Sequence, residues 1–324
     1  MVHIEPNSNF KILGGISVHD NDSLEYQEYR RAWKENPVNF ILRDFPLHLD
    51  IESTSACNLK CTFCDKLPVL KSGQLGFIDY FLYKKIIDEG SKHKLYSIKL
   101  SYRGEPLLHK NIVEMVAYAR SKGVLDIYFN TNAMLLTESM SEKLIDAGLN
   151  RISISIEGTD PLVFEKERVG ANFDVIFNNI KLLGKLKKKK NVTYPKLRIQ
   201  TVVLPGLNVN EYKDFWGPHC DEVAAIDYKD ADQRERGIVA DWACPQLWQR
   251  ITIEWDGTVL PCNNDDLREF SPGNAFKKSI YKCWHDTRVM EMRRLHRAGN
   301  SHQVSDCDGC PWRAAQIKKL KKEG

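Results

Sequence analysis

The sequence predicts an α/β fold: a partial (β/α)6 barrel of the TIM type, followed by a small C-terminal module of β-hairpin and helix. Three observations carry this. Between Leu47 and Tyr228, six short segments of strand character recur, most of them separated by amphipathic helical segments. The polar motifs fall at the C-terminal ends of those segments, where barrels of this kind keep their active sites. Beyond Tyr228 the alternation stops, and cysteines and a hairpin signal replace it.

Residues 1–46 are polar and aromatic-rich, with a helix expected over Leu24–Lys34, and read as an extension packed on the main domain. Leu47–Glu52 alternates with period two and is the first strand; a cysteine loop follows it directly. The helix expected over Ile78–Glu89 leads to a second strand, Tyr96–Tyr102, and a helix over Asn111–Lys122. Leu125–Asn130 is the third strand, followed by a helix over Ser139–Ala147. Arg151–Ile156 is the fourth, followed by a helix over Phe173–Lys187. Lys196–Leu204 and Val223–Tyr228 complete the set. Strand–helix units in series predict a parallel sheet with right-handed crossovers, here over residues 47–230. Residues 231–324 form the module. A charged loop, Lys229–Asp241, leads to Cys244. Gln249–Trp255 and Thr258–Leu260 flank an Asp256-Gly257 turn, and a helix is expected over Ser279–Ala298.

The 324 residues suit one barrel-sized domain with a small appendage, and 42% hydrophobic content is ample for its core. The formal charge of +4 comes largely from lysine runs at Lys185–Lys190 and Lys318–Lys322. These read as solvated helix ends, or as a patch for an anionic partner such as a nucleotide-linked or phosphorylated molecule. No aromatics interleave with them, so no nucleic-acid stacking surface is expected. The N-terminus has no basic-then-apolar signal pattern, and no apolar run is long enough to span a bilayer. A cytoplasmic protein without membrane partners is the expectation, and a reducing compartment argues against disulfides.

Nine cysteines then call for another explanation. Cys57, Cys61 and Cys64 form a tight CxxxCxxC triplet. Cys244, Cys262, Cys307 and Cys310 lie together in the last third, and Cys220 and Cys283 are left over. Four thiolates saturate a [4Fe-4S] cluster, whereas three leave one iron open. The competing reading of the triplet is a zinc site, with Asp65 or His48 as the fourth ligand.

The triplet, with Phe63 before its last cysteine and a strand ahead of it, resembles the radical SAM superfamily. That resemblance implies a [4Fe-4S] cluster whose open iron binds S-adenosylmethionine (SAM). It also implies reductive cleavage of SAM to a 5′-deoxyadenosyl radical that takes hydrogen from substrate. Gly104-Glu105-Pro106 looks like the superfamily's motif for the SAM amine, although such a tripeptide is also an ordinary turn. Ser153, Ser155 and Glu157 resemble the positions on the SAM ribose and carboxylate. Asn130 and Asn132 end the third strand and are candidates for the same cavity. Arg168 is a carboxylate partner by charge, or else a surface arginine.

The second cysteine set, ending in Cys307-Asp308-Gly309-Cys310, resembles the SPASM and twitch auxiliary-cluster modules; zinc is again the alternative. Four cysteines match the twitch form with one auxiliary [4Fe-4S] cluster, and the spacing is similar to that of the 2-deoxy-scyllo-inosamine dehydrogenases. A cluster with four protein ligands reads as an electron acceptor. The expectation is oxidation of a secondary alcohol on a small carbohydrate, aminocyclitol or similar polyol, with a flavodoxin or ferredoxin as electron donor. Asp227, Tyr228, Asp230, Arg234 and Arg236 are candidates to face the substrate, or they form a charged linker. Cys220 or Cys283 near the substrate radical would return hydrogen and give an epimerase; a buried apolar role is the alternative. A ribosomal-peptide maturase and a non-catalytic metal-bound scaffold complete the readings.

Overall fold

Along each strand, side chains point alternately to the two faces of the sheet, so the sequence decides what each face meets. The computed structural model describes the chain apart from residues 1, 3, 5–9, 22, 65–74, 228–235, 266–267 and 324. It opens with β1 (Phe10–Gly15), a strand not expected from the sequence. The six expected strands all form, as β2 (His48–Ile51), β4 (Ser97–Lys99), β5 (Asp126–Thr131), β6 (Arg151–Ser155), β8 (Lys196–Val203) and β9 (Glu222–Asp227). They lie side by side in chain order and all parallel. Two-residue strands, β3 (Lys60–Cys61) and β7 (Arg168–Val169), pair with each other outside this sheet.

The Asp256-Gly257 turn closes the expected hairpin, β10 (Arg250–Ile253) and β11 (Thr258–Leu260), with Gly257 at φ +83°. β10 also pairs parallel with β2, His48 opposite Arg250 and Ile51 opposite Ile253, so the hairpin extends the barrel sheet. β1 runs antiparallel to β9 at one edge, and β12 (Gly273–Asn274) ends the other. The barrel is therefore partial.

Leu49, Ile51, Ile98, Ile127, Phe129, Ile152, Ile154, Ile199, Ile251 and Ile253 put their side chains under the outer helices, in one buried cluster. Each such side chain contributes about 1.5–3 kcal/mol when fully buried. The helices start where the sequence offers caps. Asp79, Thr137 and Asn172 each accept a backbone N–H of the helix that follows. The helix Phe173–Lys190 ends at Asn191, in the left-handed region at φ +52°, and its last four lysines favour the negative end of the helix dipole. The first lysine run is thus a helix end. Lys187 pairs with Asp221, and Lys190 with Glu142 and Asp146. The second run likewise falls at the end of a helix, Pro311–Glu323, whose span was not assigned from the sequence. Helices Pro161–Glu167 and Val209–Trp216 were also not legible. The single helix expected over Ser279–Ala298 is two, Ile280–Trp284 and Thr287–Arg297. Asp286 breaks it by capping the second at Arg288 N.

The other face of the sheet, inside the barrel, is charged. Asp50 on β2 meets Lys99 on β4 at 2.6 Å and Arg250 on β10 at 3.3 Å. Arg151 clasps Asp126 through two bonds of 2.8 and 2.7 Å, and Arg198 pairs with Glu222. These pairs tie neighbouring strands together. The helix Leu24–Val38 covers the N-terminal mouth. Its Tyr26, Tyr29 and Trp33 pack on Leu47 and Tyr96, and Trp33 O accepts Gln249 Nε2 at 2.7 Å. No described helix is long and apolar enough to cross a membrane.

Burial works against ionisation of Asp50, but Lys99, Arg250 and His48 outweigh it and hold its carboxyl well below the usual range. The sign follows: Asp50 contributes stability above the unfolded carboxyl's pKa of about 3.9, and loses it as pH falls toward the folded value. Asp50→Asn, which leaves Lys99 and Arg250 buried without their partner, should cost about 3–5 kcal/mol in urea denaturation at pH 7. The difference from wild type should shrink below pH 4.

Candidate functional site

The loop after β2 is built on the end of the barrel by backbone closure. Ser53 Oγ donates to Leu100 O at 2.9 Å, and Ser55 and Gly76 exchange bonds of 3.0 Å. Gly104, just beyond β4, lies directly beneath. A Cβ there would stand 2.4 Å from the carbonyl oxygens of Thr54 and Ala56, so only glycine lets the segment close. Glu105 N then donates to Ala56 O at 2.8 Å.

Glu105 is buried, and burial raises its pKa. Its carboxylate accepts Thr131 Oγ1 at 2.7 Å, Asn132 N at 2.8 Å and Leu107 N at 3.1 Å. It fastens the end of β5 to the end of β4. Asn132 in turn donates from Nδ2 to Asn58 Oδ1 at 2.8 Å, inside the cysteine loop. Asn130 N bonds Ser101 Oγ, and Ser155 Oγ accepts Gln200 Nε2 at 3.5 Å, while Ser153 is buried on β6.

Cys57, Cys61 and Cys64 are half-buried on this loop. Burial pushes the Cys61 thiol up to about 11, Arg168 opposing and Cys64, Glu157 and Cys57 adding to it; burial likewise raises Cys57. Thiols so placed stay protonated until a cation takes them as thiolates. Leu59 N points at Cys57 Sγ at 3.5 Å, and Arg168 Nη1 at Cys61 Sγ at 3.9 Å. The β3–β7 pairing sets Cys61 opposite Arg168. Arg168 is no surface arginine: it is buried, paired with both oxygens of Glu157, and lies over the Phe63 ring at 5.4 Å. Burial opposes its charge, and Glu157 outweighs burial and raises its pKa. Beside them a cavity of about 600 Å³ opens, lined by Phe63, Glu157, Val202, Leu204 and Leu207 among others.

The second set lines one enclosed pocket together with Trp242, His296 and Arg313. Burial pushes Cys262 up to about 12 and Cys244 and Cys307 well above the usual thiol range. The sulfurs collect N–H donors: Asn264 N to Cys262 at 3.4 Å, Asn264 Nδ2 to Cys310 at 3.7 Å, and His296 Nε2 to Cys307 at 3.3 Å. Burial, with Arg313 adding, lowers the pKa of His296 to about 3. Arg313 is buried with Nη1 lacking a partner. A buried guanidinium with one N–H group left unpartnered, and N–H donors on three of the four sulfurs, fit an anionic cluster. Among the described residues, no group of three or more His, Cys, Asp or Glu side chains closes tightly enough to hold a single metal ion. A four-iron cube spreads its cysteines farther than the 2.3 Å Zn–S bonds of one zinc do.

Several expected residues lie elsewhere. Of the zinc alternatives, His48 is buried inside the barrel on Ser97 and Asp50, and Asp65 lies outside the described residues. Cys220 precedes β9 and bonds Trp216 O and Glu222 O. It stands at the start of β9, at the opposite mouth from the cysteine loop, and the strand itself spans roughly 20 Å at about 3.3 Å per residue. Cys283 is fully buried in the outer hydrophobic cluster. Burial raises the two thiols to about 12 and about 11, and neither reaches the site. Asp227 is at the correct end of β9, but exposed and paired with Lys11 at 3.1 Å. Tyr228, Asp230 and Arg234 lie outside the described residues, and Arg236 is exposed beside Gly309. Sequence reasoning missed Asn58, Asn264, His296 and Arg313, since isolated polar residues carry no spacing signal.

Two clusters of cysteines, one at the C-terminal mouth of a partial barrel and one beside it, define an iron–sulfur protein of the barrel type. Residues 51–215 match the family model of the Radical SAM superfamily, and residues 244–311 match SPASM, an iron–sulfur cluster-binding domain. The chain belongs to the radical SAM superfamily, and its cofactors are SAM and iron–sulfur clusters. It is 29% identical over 182 residues to a probable GTP 3′,8-cyclase of Methanocaldococcus jannaschii, covering 55% of this chain and 56% of that one. It is 30% identical over 173 residues to the GTP 3′,8-cyclase of Clostridium botulinum, covering 52% and 51%. The chain thus spans about half the length of the curated relatives it matches. Among solved structures it is similar to BtrN in complex with AdoMet and 2-DOIA, with TM-score 0.58, 21% identity and coverage of 83% and 94%. SuiB of Streptococcus suis bound to precursor peptide SuiA gives TM-score 0.59, 18% identity and coverage of 91% and 77%. At these identities the likeness is one of fold.

Proposed function

We propose that this radical SAM enzyme oxidises a secondary alcohol of a small polyol, sugar or aminocyclitol to a ketone. The observation that supports this reading is the enclosed pocket lined by Cys244, Cys262, Cys307 and Cys310. Four protein thiolates leave no open iron for substrate, which suits electron transfer rather than ligation. Cys57, Cys61 and Cys64 would hold the SAM-binding [4Fe-4S] cluster and the other four the auxiliary one. When bound, SAM and the first cluster supply the 5′-deoxyadenosyl radical.

The chain's own residues position the reaction. Gly104 brings backbone carbonyls of the Gly104-Glu105-Pro106 segment under the loop, where an ammonium group can be met. Glu105 itself is spent on three protein donors, so it fixes the segment. Arg168, held by Glu157, offers its Nη1 beside Cys61 to a carboxylate. Ser153, Ser155, Asn130 and Asn132 end their strands around the same mouth as candidate hydroxyl partners. SAM held at the triplet would supply the acceptor for the hydrogen atom of the substrate's carbinol C–H, and a cluster held by Cys244, Cys262, Cys307 and Cys310 would supply the acceptor for the second electron. With the hydroxyl proton passing to solvent, the alcohol would become the ketone.

The test uses anaerobically reconstituted protein with dithionite, SAM and, in separate reactions, GTP and a panel of polyols and aminocyclitols. Mass spectrometry should find 5′-deoxyadenosine together with a product lighter by two hydrogens. A product of unchanged mass would instead mean epimerisation. Conversion of GTP to an isomer would place the chain with its cyclase relatives; either result overturns the dehydrogenase reading.

A further inference from the structure

In the triplet, Leu59 N–H faces Cys57 Sγ and Arg168 Nη1 makes a long contact with Cys61 Sγ. In the second set three of the four sulfurs face N–H donors, two from Asn264 and one from His296. His296 is fully buried in the helix Thr287–Arg297 and packed against the edge of Trp242. Its tautomer is settled by geometry. The backbone N–H of Cys244 donates to Nδ1 at 3.0 Å, so Nδ1 carries the lone pair. The ring proton therefore sits on Nε2, 3.3 Å from Cys307 Sγ. One imidazole thus accepts from the backbone of one cysteine and donates to the sulfur of another.

A hydrogen bond to a cluster thiolate stabilises the reduced, more negative state over the oxidised one, which raises the reduction potential. We propose that His296 is a positioning residue whose Nε2–H donates to Cys307 and raises the potential of the auxiliary cluster, making it the sink for the substrate's electron. This rests on the reading that Cys244, Cys262, Cys307 and Cys310 hold that cluster. Arg313, which lines the same pocket with its Nη1 unpartnered, acts in the same direction through its charge.

The experiment uses protein carrying Cys57→Ala, Cys61→Ala and Cys64→Ala, so that only the second site loads, with iron counted and the midpoint potential read by EPR-monitored redox titration. In this background His296→Phe should keep about four irons per chain and show a lower midpoint. At a fixed potential near the wild-type midpoint, the reduced fraction should fall several-fold. His296→Gln, which retains an N–H donor, should stay close to the parent. A His296→Phe protein with full iron and an unchanged midpoint overturns the inference. Equal lowering in both variants also overturns it, because volume rather than the donor would then be responsible. Background protein that binds no iron overturns the four-cysteine reading itself, and the inference with it. Should His296→Phe fail to accumulate, pulsed EPR on protein labelled with 15N-histidine decides the matter: a weak ring-nitrogen coupling is expected, and its absence overturns the assignment.

Discussion

Replacing Cys57, Cys61 and Cys64 together by alanine should abolish 5′-deoxyadenosine formation while the protein keeps about half its iron. The sulfurs sit on a loop outside the main sheet, half-exposed, and none belongs to the buried clusters that hold the barrel. The loop's own closure runs through backbone and hydroxyl bonds at Ser53, Thr54 and Ser55, which alanine at the three cysteines leaves in place. Thermal unfolding of the metal-free protein should therefore change little. About eight irons per reconstituted wild-type chain should become about four, since the second set is untouched. Iron and sulfide analysis beside mass spectrometry reads both numbers. Iron near zero in wild type, or deoxyadenosine from the variant, would remove the basis for placing SAM chemistry at this loop.

Arg168→Met should be the most damaging single substitution near the site. Arg168 and Glu157 are both buried and bonded through two N–H···O contacts, so removing the guanidinium strands a carboxylate in the interior. Breaking one side of such a pair costs about 3–5 kcal/mol. It also removes the cation facing Cys61 and the support under Phe63. Urea denaturation of metal-free protein should show the full loss, and SAM binding should weaken as well. The double variant Arg168→Met, Glu157→Gln separates the two effects, because no charge is left buried. Its stability should recover most of the loss, whereas SAM binding should not. Recovery of both would mean that Arg168 serves the fold alone.

Much of this molecule was legible because period and spacing are local signals. Alternation gave six strands, five of them within a residue of where they form and the second ending three residues earlier than expected, and Asp256-Gly257 gave the hairpin. The triplet and the paired Cys307 and Cys310 stood out by spacing alone. Inside the barrel the same reasoning was blind. Asp50, Lys99, Arg151, Arg198 and Glu222 alternate with apolar residues just as solvent-facing side chains do. Only the curvature of the sheet turns that polar face inward and forces each charge to find a partner on the next strand. Cys220 and Cys283 failed for a related reason. A thiol has no directional signature, and which mouth or face it occupies depends on the packing around it.

By itself, then, the sequence determined the strand order, the hairpin, the two cysteine sets and the superfamily they mark. These depend on residues close along the chain, where backbone geometry links spacing to position. The tertiary structure decided that β10 joins β2 and that Arg168 meets Glu157. It also decided that His296 reaches Cys307, that the helix Leu24–Val38 seals the lower mouth, and that the leftover cysteines stand apart. Each of these joins or separates residues distant in sequence, and the burial of apolar faces settles them only once the barrel has formed.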